Sequence, residues 1–97
     1  MTENRPKIAI SIGDLNGIGI EIALKCHEKI SKICKPIYCI NQNMLEKATN
    51  KLDILTPENF ELFETKGDFE IKAGKVSKKA GKYSYDSFID AINLATK

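Results

Sequence analysis

Residues 7–21 read Lys7-Ile8-Ala9-Ile10-Ser11-Ile12-Gly13-Asp14-Leu15-Asn16-Gly17-Ile18-Gly19-Ile20-Glu21, and this stretch decides the fold class. Lys7 to Ile12 alternates isoleucine with small or polar residues, the pattern of a strand that can be covered on both faces. From Gly17 the apolar period becomes helical. A strand, a glycine-rich turn and a helix N-terminus therefore follow in that order, and such a junction aims backbone N–H groups outward at an anion or polar ligand. Gly13, Gly17 and Gly19 cost conformational entropy, so the turn is expected to need a positive φ or a close backbone approach. Spacing excludes two familiar loops. Ile22 stands where a dinucleotide fingerprint begun at Gly17 needs its last glycine, and Ile18-Gly19 stands where a P-loop begun at Gly13 needs glycine and lysine. Asp14 is placed to cap the helix or face a ligand, and Glu21 lies in the first turn, where the helix dipole favours a carboxylate.

Working outward, the helix is expected over residues 17–32, with Ile18, Ile22, Cys26 and Ile30 as its core stripe, Ala23 beside it, and Lys25, Glu28, Lys29 and Lys32 facing away. Pro36 ends the connection, and residues 37–40 form a second short strand. This βαβ unit predicts parallel strands joined by a right-handed crossover. Asn43 and Glu46 have the spacing of a capping box, with a helix running towards Lys51. Residues 52–55 suit a third strand. Thr56-Pro57-Glu58 suits the start of a short helix, with a cap, a proline and an acidic first turn. Residues 69–82 read as a loop, with a short strand expected over 69–72. A last helix begins near Tyr83, with Tyr85, Phe88, Ile89, Ile92 and Thr96 on its apolar face and Ala91 and Ala95 small enough for close packing. It reaches Lys97 with no glycine cap and no proline after it. The expectation is an α/β fold, the βαβ start of a mostly parallel sheet, with residues 1–97 an N-terminal piece of a larger protein and no internal domain boundary.

Composition fits that reading. The chain has 97 residues, 42% hydrophobic and 29% charged, with a net charge of +2 that singles out no class of partner. No apolar stretch approaches the roughly 18 residues a membrane helix needs, and the N-terminus has no signal-type core, so a cytoplasmic location is expected. Cys26, Cys34 and Cys39 form no Cys-x-x-Cys pair, which suggests reduced thiols, with Cys26 and Cys39 buried as small hydrophobes. His27 is the single histidine, and nothing near it in sequence completes a metal set or a triad, so it reads as a packing or surface residue. The lysines at 72, 75, 78, 79 and 82 lack interleaved aromatics, and a solvated loop is favoured over nucleic-acid binding.

The residues at the glycine loop also carry a resemblance. Lys7 to Ile22 resembles the N-terminus of the 4-hydroxythreonine-4-phosphate dehydrogenases, where the usual motif is Gly-Asp-Pro-Ala-Gly-Ile-Gly-Pro-Glu. Gly74-Lys75-Val76-Ser77-Lys78-Lys79-Ala80-Gly81-Lys82-Tyr83 looks like the family's Gly-x-x-Ser-x-x-x-Gly segment, which leads into a helix. Here Leu15, Asn16 and Ile20 replace the usual proline, alanine and proline, which removes two φ-fixing residues from the loop. The glycines and both carboxylates, Asp14 and Glu21, are kept.

The resemblance implies a fold like that of isocitrate and isopropylmalate dehydrogenases, truncated here. It implies an enzyme of pyridoxine (vitamin B6) and pyridoxal phosphate biosynthesis that oxidises 4-phosphohydroxy-L-threonine with NAD or NADP, after which the β-keto acid loses carbon dioxide. It further implies a divalent metal (Zn, Mg or Co) held by histidines from both subunits of a homodimer, with no nucleic acid or membrane involved. Those histidines and most cofactor contacts are expected beyond Lys97, and His27 matches none of them. No catalytic or metal residue is therefore assigned, and the 97 residues alone are expected to be inactive. Asp14, Asn16, Gly17 and Gly19 remain as candidates for lining the cleft. The rival is a free-standing βαβ module that binds a phosphorylated ligand at the Gly13–Gly19 loop without chemistry.

Overall fold

The computed structural model describes residues 5–13, 15–17, 19–72, 74–75 and 77–96. The elements are β1 (Lys7–Ser11), α1 (Gly19–Ser31), β2 (Lys35–Cys39), α2 (Gln42–Leu52), β3 (Glu61–Phe63) and α3 (Lys78–Ala95). The strands form one parallel sheet in the order β1-β2-β3, with Ala9 opposite Ile37 and Tyr38 opposite Leu62. The expected βαβ start is present, and the sheet is parallel throughout.

Neighbouring residues of β2 show how the layers lie. Tyr38 meets the imidazole of His27 on α1, while Cys39 offers its carbonyl to Ser87 on α3 and lies near the Asp90 carboxylate. Successive strand residues point to opposite faces, so α1 and α3 cover opposite sides of the sheet. The core between the layers is built from Ile12, Leu15, Ile20, Leu24, Tyr38, Ile40, Met44, Leu45, Phe69, Ile71 and Tyr83, among others.

Several boundaries differ from the sequence reading. The core stripe of α1 is Ile20, Ala23, Leu24 and His27, whereas Ile22 is exposed, Cys26 and Ile30 are half-buried, and Ile18 lies outside the described residues. The segment has two apolar stripes, and periodicity alone does not choose between them. α2 starts earlier than expected because Asn41, not Asn43, is the N-cap. Its side chain accepts from the Met44 amide, and Asp53 closes the helix in a left-handed conformation, φ 55°.

Residues 52–55 are no strand. Leu52 ends α2, and Leu55 is almost fully exposed. The third strand comes later, at Glu61–Phe63, after a turn at Glu58-Asn59 with a positive φ at Asn59, where a helix was expected. Residues 69–72 are not a strand either.

α3 begins at Lys78, five residues before the expected start, with Ser77 as its cap, and Lys82 pairs with Asp86 one turn on at 2.8 Å. Its buried face is Ala80, Tyr83, Ser87 and Ala91, while Tyr85, Phe88 and Ile92 point to solvent. Small residues face the sheet because the helix comes close enough for a serine hydroxyl to reach strand backbone.

Candidate functional site

The glycine loop leaves the carboxyl end of β1. Gly13 turns with φ +78°, a conformation that side chains rarely adopt. Gly19 then opens α1 so close to β1 that a Cβ there would lie 2.9 Å from the Ile12 carbonyl oxygen. The loop thus uses both devices expected of it, a positive φ and a close approach. Between them Leu15 is buried, Gly17 is exposed at the turn, and Asp14 lies outside the described residues.

Asn16 is 4% exposed, and its amide faces the chain interior. Its Nδ2 donates to the Lys75 carbonyl at 2.9 Å, and its Oδ1 accepts from the Lys72 amide at 2.8 Å. Its own carbonyl accepts from the Gly74 amide at 2.7 Å. Three bonds therefore clip the glycine loop to the segment that precedes α3. The two sequence motifs that carry the family resemblance are one structural unit. Beside it lies a groove of about 510 Å³ lined by Phe69, Glu70, Lys72, Lys75, Ser77 and Lys79. Three of the lysines of the 72–82 run face this groove, against one carboxylate. Lys78, Lys79 and Lys82 belong to α3, so the run is half helix, and its lysines are exposed.

Three further side chains, none of them singled out from sequence, hold the carboxyl ends of the strands. Ser87 donates to the Cys39 carbonyl at 2.7 Å and accepts from the Ile12 amide at 3.1 Å. The parallel register would place the next ladder bond between those two backbone groups, so a helix hydroxyl replaces one rung and parts β1 from β2 where the glycine loop begins. Tyr83 accepts from the Asn41 amide at 2.9 Å and donates to the Thr65 carbonyl at 3.1 Å. Asn41 donates its Nδ2 to the carbonyls of Thr65 and Gly67. The usable signal for Asn41 was its place directly after a strand and three residues before Met44. For Ser87 there was none beyond a polar residue in an apolar helix.

His27 sits at the opposite, amino end of the strands and is 3% exposed. Its Nε2 lies 3.2 Å from both the Glu58 carbonyl, which can only accept, and the Ser31 hydroxyl, and its Nδ1 lies 2.8 Å from the Tyr38 hydroxyl. Stacking of Tyr38 on Phe60, centroids 4.0 Å apart, completes the cluster. Burial pushes the Tyr38 and Tyr83 hydroxyls up to about 12. It also raises the Cys39 thiol to about 11, with help from Asp90, so this buried cysteine stays a protonated packing residue. Cys26, by contrast, is only half-buried, and all three cysteines are free. Among the described residues no three His, Cys, Asp or Glu side chains converge as a metal set, and no helix is long and apolar enough to cross a membrane.

No family model matches the chain. Curated proteins do. A 4-hydroxythreonine-4-phosphate dehydrogenase of Sulfurimonas denitrificans is 56% identical over 91 residues, covering 94% of this chain and 30% of that protein. One of Campylobacter fetus is 58% identical over 87 residues, covering 90% and 28%. Among solved structures, the X-ray structure of a 4-hydroxythreonine-4-phosphate dehydrogenase from Burkholderia phymatum superposes with a TM-score of 0.75 at 21% identity, over 97% of this chain and 34% of that one, and supports the fold. The chain is thus similar to 4-hydroxythreonine-4-phosphate dehydrogenases over the roughly 30% of their length that it spans.

Proposed function

We propose that the chain supplies the N-terminal part of an NAD- or NADP-dependent dehydrogenase that oxidises 4-phosphohydroxy-L-threonine in pyridoxine biosynthesis, as a cytoplasmic homodimer. The observation that carries this reading is identity of 56–58%, over 90% or more of the chain, with relatives bearing that enzyme's name. The clipped unit of glycine loop and Lys72–Lys75 segment supports it. The unit stands outside the carboxyl end of a parallel strand, where ligands of open α/β sheets bind.

In this reading the loop forms one wall of the cleft. Gly13 and Gly19 hold the backbone turn close to β1, and Asn16 acts as a positioning residue through the Lys72–Lys75 backbone. Gly17 is the part of the loop open to a ligand, and Asp14 remains a candidate for the same wall. Lys72, Lys75 and Lys79 give the neighbouring groove a positive potential suited to a phosphorylated molecule. Bound in the completed cleft, the nicotinamide cofactor would take hydride from the carbon that bears the substrate's hydroxyl. The described residues do not fit a divalent metal. Both nitrogens of His27 are engaged, no other histidine exists, and no step is assigned to a metal through this chain. The metal's histidines are expected in the portion of the relatives that the chain does not span.

The test grafts this chain onto the Sulfurimonas denitrificans relative in place of the matching segment and follows NAD or NADP reduction with 4-phosphohydroxy-L-threonine. The expected result is turnover by the graft and none by the 97 residues alone. A folded graft without activity beside an active parent would overturn the proposal, and so would turnover by the isolated chain.

A further inference from the structure

α3 brings two hydroxyls, one turn apart, to the carboxyl ends of the strands. Tyr83 and Ser87 lie on its buried face at i and i+4 and are 2% and 0% exposed. Each meets a backbone group that the β1–β2 ladder would otherwise use. The register pairs Ser11 with Cys39, so the next residue, Ile12, would donate to the Cys39 carbonyl and accept from the Asn41 amide. Ser87 stands on the first of these rungs, and Tyr83 takes the Asn41 amide of the second at 2.9 Å. β2 also bends there, with the Ile40 amide turned back onto the Tyr38 carbonyl at 3.0 Å. Two successive rungs are thus exchanged for hydroxyls of one helix, and both rungs belong to Ile12.

Ile12 is the last residue before the glycine loop. Its amide is held by Ser87, and Gly13 follows with φ +78°. Its carbonyl oxygen lies where a Cβ on Gly19 would approach to 2.9 Å. The peptide groups of Ile12 therefore set where the loop leaves the sheet and where it returns to α1. Both hydroxyls are buried and both already accept one bond and donate another, so neither is placed to touch a ligand. Their influence on a reaction runs through the loop.

We infer that Ser87 and Tyr83 are positioning residues for the dehydrogenase reaction, a paired hydroxyl wedge by which α3 parts β1 from β2 and sets the glycine loop against the cleft. The reaction rests on the functional reading above, while the wedge rests on the hydrogen bonds alone. Without the Ser87 hydroxyl the strand ends either close towards a direct bond of about 2.9 Å or fray, and both movements shift Gly13. Without the Tyr83 hydroxyl the Asn41 amide is released towards the Ile12 carbonyl and pulls on the same residue.

The test uses the graft onto the Sulfurimonas denitrificans relative carrying Ser87→Ala, Tyr83→Phe, both together, or Ser84→Ala as control, with steady-state kinetics and amide hydrogen exchange on each. Either single change at the wedge should lower kcat by on the order of 10- to 100-fold and leave KM within about threefold, because misplacement acts on the transition state more than on binding. The double variant should lose little more than the worse single one, as groups that act as a unit do. Exchange should quicken at Ile12, Gly13, Gly17 and Gly19 and stay as before at Ile8 and Ile10, whereas general destabilisation quickens both sets alike. Ser84→Ala should change neither readout. Tyr83→Phe keeps the ring and its packing, so it carries the test where Ser87→Ala melts below the assay temperature. Unchanged kcat in folded variants would overturn the inference, as would exchange that rises uniformly through β1 and the loop. A graft inactive before any substitution, with its loop loosened by both variants, would count against the catalytic reading alone and uphold the wedge.

Discussion

Replacing Ser87 by alanine removes the hydroxyl that stands in for a ladder rung between β1 and β2. The Ile12 amide and the Cys39 carbonyl, now bonded through Ser87 at 3.1 and 2.7 Å, both lose their partner in a site with no exposed surface at position 87. To bond directly they would have to close to about 2.9 Å, which the helix backing them resists. An unsatisfied buried group costs about 1–3 kcal/mol, so the pair predicts a loss of about 2–6 kcal/mol. In a domain of this size each kcal/mol lost lowers the melting temperature by roughly 4–8 °C. Urea unfolding followed by circular dichroism measures the loss, and amide exchange at Ile12 reports its location. Ser84→Ala on the same helix, half-buried and without a hydrogen bond from its side chain, is the control and should change stability by less than about 0.5 kcal/mol. If Ser87→Ala behaves like the control and the Ile12 amide stays protected, the strands close without the hydroxyl and its role as a wedge is refuted.

Gly19→Ala places a Cβ 2.9 Å from the Ile12 carbonyl and should cost about 1–3 kcal/mol through displaced backbone; unchanged thermal unfolding would show that the junction has slack. Tyr38 and Tyr83 have folded values raised from 10.0 to about 12, so the stability tied to their burial is complete below the ordinary value. It is lost as pH rises through that window, and a spectrophotometric titration should show both rings ionising with unfolding; ionisation near 10 in a chain that remains folded contradicts their burial. The Lys47 ammonium, through a hydrogen bond, holds the exposed Asp68 carboxyl below its ordinary value of 3.8. The stability it contributes is present above that value and is lost as pH falls through the folded one. The gap in melting temperature between the protein and Asp68→Asn should therefore vanish in acid and shrink with salt at neutral pH, and a gap independent of both removes the ion pair from the account.

The first half of the fold was legible because local rules and tertiary packing agree there. The Ile8, Ile10, Ile12 alternation, the glycine loop and the helical period after it each reappear in the structure, and the β1–β2 pairing follows from their order. The face of α1 was not legible, since Ile22 with Cys26 and Ile30 forms as good a stripe as Ile20 with Leu24 and His27, and only the position of the sheet selects one. α3 misled for a different reason. A helix that approaches strand backbone closely needs Ala80, Ser87 and Ala91 against it, so the larger Tyr85, Phe88 and Ile92 lie outside, the reverse of ordinary amphipathic logic. β3 has three residues and a single half-buried side chain, Leu62, too little for a period to register. At the candidate site the glycines were readable from their cost. The embrace of Lys72–Lys75 by Asn16 was not, because it joins segments 56–59 residues apart through an amide that any asparagine carries.

The measurement that tests the account most directly is the kcat/KM of the graft onto the Sulfurimonas denitrificans relative carrying Asn16→Ala, with its melting temperature taken alongside. Asn16→Ala removes the two side-chain bonds of the clip and keeps only the Gly74 amide on the backbone carbonyl at position 16, which frees the glycine loop and the Lys72–Lys75 segment to shift by an ångström or more. Misplacement on that scale costs on the order of 100-fold in a positioned reaction. A fall of that size is expected in a variant that is still folded at the assay temperature. Unchanged kcat/KM in a folded variant would mean that the clipped unit takes no part in the cleft.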